Sequence, residues 1–225
     1  MESILALPFL MLVGIVLPML AWQSHRWMAR SQESGELLPS TRTLALQAMG
    51  LQVILLLMAL LAMYASNLSV EGLGTWSWQA MLLAIGTLTI ALVLAEWEAR
   101  RPLPGGDAFR RQLRRSRAGS PYWIASAISA AVVEEFCYRG VLTSSLAGEI
   151  GYWPAVASSA LFFGLAHLGQ GWRGAVFSTI FAIGMQLLCL VQQGLLAAIL
   201  VHFSYDMIVS ARGNRLVATR GNALS

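Results

Sequence analysis

The sequence predicts an all-α fold, a polytopic bundle of about seven membrane-spanning helices with any active site in the last four. Three observations predict it. Of the 225 residues 57% are hydrophobic and only 12% charged, whereas a soluble domain carries roughly 25% charged residues. The apolar residues fall in long runs, and about 20 of them suffice to cross a bilayer as a helix. The charges gather mainly between those runs, where arginine supplies every one of the 15 basic side chains and lysine is absent.

Residues 4–22 form the first run. It follows an acidic Glu2, has no basic leader and ends at the polar stretch 23–30. A cleaved signal peptide wants a positive start and a shorter apolar core, so a retained helix is expected. Residues 44–65 and 76–95 are the second and third spans. Between them lie one acid, no base and the tryptophans Trp76 and Trp78, an aromatic signature of a membrane interface.

Residues 96–121 break the pattern with seven arginines, three acids and a Pro-Gly-Gly turn. This stretch reads as a solvated loop that sets topology, with a short amphipathic surface helix over 108–117 as the alternative. Four further spans follow with short turns between them, at 122–142, 153–168, 174–191 and 195–210. The whole chain, 1–225, is expected to be one integral membrane domain. It comprises three N-terminal helices within 1–95, the Arg-rich loop 96–121 and a four-helix core over 122–212, the part that would hold any catalytic site.

Arginines follow the first, third, fifth and seventh spans, and the other connections hold none. Cytoplasmic loops are enriched in basic residues, so the N-terminus is expected outside and the C-terminus in the cytoplasm. The arginine-only basicity points to a bacterial inner membrane. Nucleic acid is excluded as a partner, because the arginines flank apolar segments and no basic surface interleaved with aromatics accompanies the net charge of +4. Cys137 and Cys189 both fall in apolar runs, where a thiol packs as a small hydrophobe, and no disulfide framework is implied.

Six ionisable side chains, tyrosine and cysteine aside, lie inside the apolar runs: Glu134, Glu135, Arg139, His167, His202 and Asp206. All are in the last four. A charge at the bilayer centre costs at least about 2.5 kcal/mol, so such residues face a cavity or one another. Glu135 and Arg139 are four apart and share a helix face, with the acid N-terminal to the base as the better pairing orientation. Glu134 is turned about 100° from Glu135, which leaves one acid for the pair and one for a cavity. Phe163 with His167, and His202 with Asp206, are also i,i+4 pairs. Each can present a histidine to the same pocket from its own helix. A carboxylate and a histidine around a water make a general base, a second histidine can donate to an oxyanion, and hydrolysis is the reaction class this favours.

Glu134-Glu135-Phe136-Cys137-Tyr138-Arg139 matches EExxxR, Phe163 to His167 matches FxxxH, and His202 to Asp206 matches HxxxN/D. Three motifs in this order, on separate helices, resemble the CPBP or Abi family, which contains CAAX prenyl endopeptidases and the bacteriocin-processing and immunity-associated membrane proteins of bacteria. The resemblance runs over about 122–210. It implies an intramembrane endopeptidase open toward the cytosol, acting on a membrane-associated protein or peptide precursor. Glu134 would be the catalytic glutamate and His167 its partner in activating water. His202 and Asp206 would form the oxyanion region, while Glu135 and Arg139 organise their helix and Phe163 supports the site.

Where members have asparagine at the last position the side chain offers an amide donor, whereas Asp206 donates only if protonated. The alternative is that Asp206 accepts a hydrogen bond from His202 and fixes its tautomer. No cofactor is expected. The alternative is zinc held by Glu134, His167 and His202, but HExxH is absent and the ligands come one per helix. Two other readings of the chain compete: a non-catalytic scaffold or immunity protein of the same fold, and a proton-coupled transporter, whose inverted repeats and broken helices the sequence lacks.

Overall fold

The computed structural model describes residues 2–34, 39–70, 72–75, 77–99 and 120–221, the side chains of the end residues 2–5, 32–33, 98–99 and 212–221 excepted, and among the described residues seven helices follow one another. Most of the Arg-rich loop, including the amphipathic helix considered at 108–117, lies outside the described residues, as do the side chains of Arg212, Arg215 and Arg220. Helix α1 runs as Glu2–Met11, a π-helical stretch Leu12–Val16, and Leu17–Glu33; α2 is Thr41–Ala65 and α3 is Trp78–Ala99. Helix α4 runs as Pro121–Glu134, a second π-helical stretch Glu135–Leu142, and Thr143–Ile150. Then come α5 (Tyr152–Ala166), α6 (Trp172–Gln192) and α7 (Leu196–Gly221). No strand occurs among the described residues.

Local chemistry explains several boundaries. Ser40 caps α2 by accepting from the Thr43 N–H at 3.1 Å, and Ser120 caps α4 by accepting from the Trp123 N–H at 3.2 Å. Pro121, at the first turn of α4, lacks an N–H that would have had no helical partner there anyway. In α1, Pro18 cannot donate to the carbonyl of Gly14, and just before it the ladder widens so that the Leu17 N–H reaches the Leu12 carbonyl.

Two expected ends move. Helix α1 stays helical through the polar stretch 23–30 to Glu33, and α4 continues past Leu142 to Ile150. In both cases the apolar run stops before the helix does, because a helix leaving the bilayer keeps its backbone bonds in water as well as in lipid.

Within the described residues, Ala6–Ser31, Thr41–Ala65, Trp78–Trp97 and Trp172–Gln192 are long and apolar enough to cross a membrane. Helices α5 and the Leu196–Ala211 part of α7 are apolar but shorter. At 1.5 Å per residue, α5 is about 22 Å long, less than the hydrocarbon core of roughly 30 Å. Leu57, Ile85, Ile90 and Leu161 are exposed, as befits lipid-facing side chains of an integral membrane protein. The helices meet instead through small residues, among them Ala59, Ala62, Ala131, Ala155, Ala182 and Ala198, all buried. Small side chains let helices approach closely where lipid offers no hydrophobic drive to pack.

Helix α4 sits between two buried clusters. On one side Phe9 and Val13 of α1 and Leu55, Ala59 and Ala62 of α2 meet Cys137, Tyr138, Val141 and Leu142. On the other, Met185 and Leu188 of α6 join Ala198 and Val201 of α7. Phe136 and Val70 border both clusters. Both cysteines are buried, and Cys137 Sγ points at the Leu55 carbonyl at 3.8 Å, so its role is packing within the first cluster.

Residues 72–75, between α2 and α3, are stitched to the α6–α7 turn by backbone bonds. The Thr75 N–H donates to Gln192 O at 3.0 Å, Leu195 N–H to Gly72 O at 3.1 Å, and Leu196 N–H to Leu73 O at 3.3 Å. Just ahead of them Val70 lies against Gly140 of α4, where a Cβ would stand 2.7 Å from its Cγ1.

Candidate active site

The three motif-bearing helices bring their ionisable side chains to one place. Glu134 is the last residue of the regular part of α4, and Glu135 opens its π-helical stretch. π-Helical turns are rare and concentrate at functional sites. The two acids diverge in environment. The Glu135 side chain is fully buried, whereas that of Glu134 is 18% exposed.

Glu135 is the hub of the buried charges. Its Oε2 lies 3.1 Å from Arg139 Nε, the pair expected from their spacing. Its Oε1 accepts from His202 Nδ1 at 2.7 Å, a bond between residues 67 apart in sequence. The Arg139 guanidinium also lies 4.2 Å above the Phe163 ring, where the π face stabilises a desolvated cation.

His167 caps the C-terminus of α5, and its Nδ1 lies 2.7 Å from the Phe163 carbonyl. A carbonyl oxygen only accepts, so Nδ1 carries the proton and, in the neutral ring, Nε2 keeps its lone pair. That Nε2 is 4.0 Å from Glu134 Oε2. His202 Nε2 is also 4.0 Å from Glu134 Oε2, and 3.8 Å from Asp206 Oδ2. Glu134 Oε2 has no hydrogen-bond partner. Two histidines from different helices therefore turn their Nε2 atoms toward one carboxylate oxygen. The separations are too long for direct hydrogen bonds and suit a small bridging group.

Phe163, 2% exposed, is the plate that spaces these groups. Its ring centroid is 4.4 Å from that of His167 and 6.2 Å from that of His202, and Tyr138 meets it edge-on at 5.2 Å. Hydroxyls of Thr143 and Ser159 each donate to the Tyr138 carbonyl at 2.8 Å, and the Ser159 bond holds α5 to α4 beside the site. Beyond His202, Phe181 packs edge-on at 5.9 Å and stacks with Phe177, which stacks in turn with Tyr205.

All seven residues singled out in the sequence thus converge: Glu134, Glu135, Arg139, Phe163, His167, His202 and Asp206. His202 is oriented through Nδ1 by Glu135; Asp206 stands on the Nε2 side and is the most exposed acid of the site at 29%. The Glu135–His202 bond and the Tyr138 carbonyl clamp were not read from the sequence. Adjacency of the two glutamates was the one signal that both serve the site, and the hydroxyls gave none.

Glu134, His167 and His202 offer oxygen and nitrogen donors of the kind that ligate zinc. Among the described residues, however, no three or more His, Cys, Asp or Glu side chains stand close enough together to hold a metal ion.

Residues 117–208 match the family model described as type II CAAX prenyl endopeptidase Rce1-like. The match bears out the family resemblance carried by the three motifs and covers the last four helices up to Ile208. No curated protein and no solved structure matches the chain.

Proposed function

With its last four helices forming an Rce1-like segment, we propose that this protein is an intramembrane endopeptidase that hydrolyses a peptide bond in a membrane-associated protein or peptide precursor. One observation carries the reading above the others: the unpartnered Glu134 Oε2, 4.0 Å from the Nε2 of both His167 and His202. A water seated among the three donates one hydrogen bond to Glu134 and the other to the His167 lone pair, so that its oxygen faces the substrate carbonyl.

Glu134 takes the proton as the water oxygen attacks, and a tetrahedral oxyanion forms. His202, protonated on both nitrogens, donates through Nε2 to that oxyanion while Glu135 balances its charge through Nδ1. Asp206 in its acid form is a second donor to the same oxygen. When the C–N bond breaks, Glu134 returns its proton to the leaving amine. Arg139 and Phe163 position the acids and histidines without touching the substrate.

The membrane orientation is part of the proposal. Arg26 lies over Trp22, Arg42 over Tyr122 and Arg173 over Trp172. These pairs mark the end of α1 and the starts of α2, α4 and α6, which alternation of helices puts on one side. Basic residues favour the cytoplasmic side, so this end, with the C-terminus of α7, faces the cytoplasm. Prenylated, leader-bearing and C-terminally anchored proteins all present a peptide bond at that level.

The test is cleavage by purified protein in liposomes, with substrates found by comparing the proteomes of cells making wild type or Glu134→Ala. Glu134→Ala and His167→Ala are each expected to abolish cleavage in a folded protein. Full turnover in either would end the proposal, and a folded wild type that cleaves nothing would favour a scaffold.

A further inference from the structure

We propose that Trp22, Gln23, Arg26, Trp27 and Arg30 at the C-terminal half of α1 form a binding site for the phosphate of an anionic phospholipid headgroup. The inference does not rest on the catalytic reading. These five residues line an open cavity of about 350 Å³, within the size range of small-molecule sites.

Arg26 and Arg30 are one helical turn apart, and no acid lines the cavity among the described residues. The Arg26 guanidinium is held over the Trp22 ring at 4.8 Å, and Arg30 Nε lies 3.4 Å from the Arg26 carbonyl. Each contact restrains a long side chain while leaving terminal N–H groups to bond an oxyanion. Guanidinium forks match phosphate oxygens with two parallel hydrogen bonds. Trp22 and Trp27 are half-exposed on the same stretch, and tryptophan settles at the headgroup level of a bilayer. A zwitterionic headgroup brings its own cation into a site that already holds two, so the preference is for a headgroup of net negative charge.

The position gives the site a further consequence. The same stretch of α1 borders the turn that follows His167: a Cβ on Gly169 would stand 3.6 Å from the Ala21 carbonyl, and one on Gly171 3.6 Å from His25 Cε1.

Thermal unfolding of the purified full chain in detergent micelles tests this, with added dihexanoyl phosphatidylglycerol, dihexanoyl phosphatidylcholine or sodium phosphate at equal concentration. Phosphatidylglycerol is expected to raise the unfolding temperature by several degrees, with little effect from the other two. The double variant Arg26→Gln/Arg30→Gln should lose that shift, and Arg42→Gln, an arginine on the same side but outside the cavity, should keep it. Should the double variant not fold, Arg30→Gln alone should need at least tenfold more phosphatidylglycerol for the same shift. An equal shift from phosphatidylcholine, or a loss in Arg42→Gln as large as in the cavity variants, would overturn the site. An equal shift from sodium phosphate would reassign it to free phosphate and overturn the lipid.

Discussion

The two adjacent glutamates make opposite demands on the fold, and a pair of substitutions separates them. Glu135→Ala removes the carboxylate that pairs with Arg139 and bonds His202 Nδ1, both partners at most 5% exposed. Breaking a buried ion pair by deleting one partner costs about 3–5 kcal/mol. For a chain of this length each kcal/mol lowers the unfolding temperature by about 2–4 °C, so the loss should be about 6–20 °C. Glu134→Gln keeps side-chain volume and removes a charge whose Oε2 bonds nothing. Its effect should stay within about 0.5 kcal/mol, or about 2 °C. Thermal unfolding in micelles gives the first number and liposome cleavage the second. Glu134→Gln should be stable and inactive, Glu135→Ala unstable. A Glu134→Gln protein as destabilised as Glu135→Ala, or one that still cleaves, would refute the division of roles.

Three more outcomes are expected. Gly140→Ala puts a Cβ 2.7 Å from Val70 Cγ1 and should destabilise by about 1–3 kcal/mol; Val70→Ala in the same chain should recover part of that loss, and strictly additive effects in the unfolding cycle would show that the two do not touch. Gly164→Ala would overlap Thr179 Oγ1 and lie 2.6 Å from the Ala175 carbonyl oxygen. Because backbone cannot yield as a side chain does, it should lower the unfolding temperature even when combined with Thr179→Ala. Cleavage should persist in a strong chelator; turnover that stops there and returns with zinc would replace the water mechanism by a metal one.

Helix count and motif positions were legible because lipid imposes long apolar runs, against which six ionisable side chains stand out. The Glu135–Arg139 pair was legible for the same reason that helices are: it is local, one turn apart. The Glu135–His202 bond was not, since it joins α4 to α7 across 67 residues and depends on how the helices cross. The ends of α1 and α4 were misplaced because hydropathy marks where lipid stops, and backbone hydrogen bonding carries the helix further. Cys137 was assigned to packing by residue type alone, and the Leu55 carbonyl beside its sulfur bears that out. The role of Asp206 stayed open in the sequence because a carboxyl can accept or donate, a choice that residue type and spacing do not make.

The π-helical stretch Glu135–Leu142 holds one more residue per closed turn than the helix on either side. In bookkeeping of length it is an insertion that the fold has absorbed without breaking the helix. Deleting any single residue within it would restore a continuous α-helix, locally more regular than before. Yet a deletion between Glu135 and Arg139 would leave these partners three residues apart instead of four, and so shift the ion pair whose carboxylate also holds His202. The shape of the pocket is therefore stored partly in a count of residues, a property that no side-chain substitution can probe and that a one-codon deletion would erase.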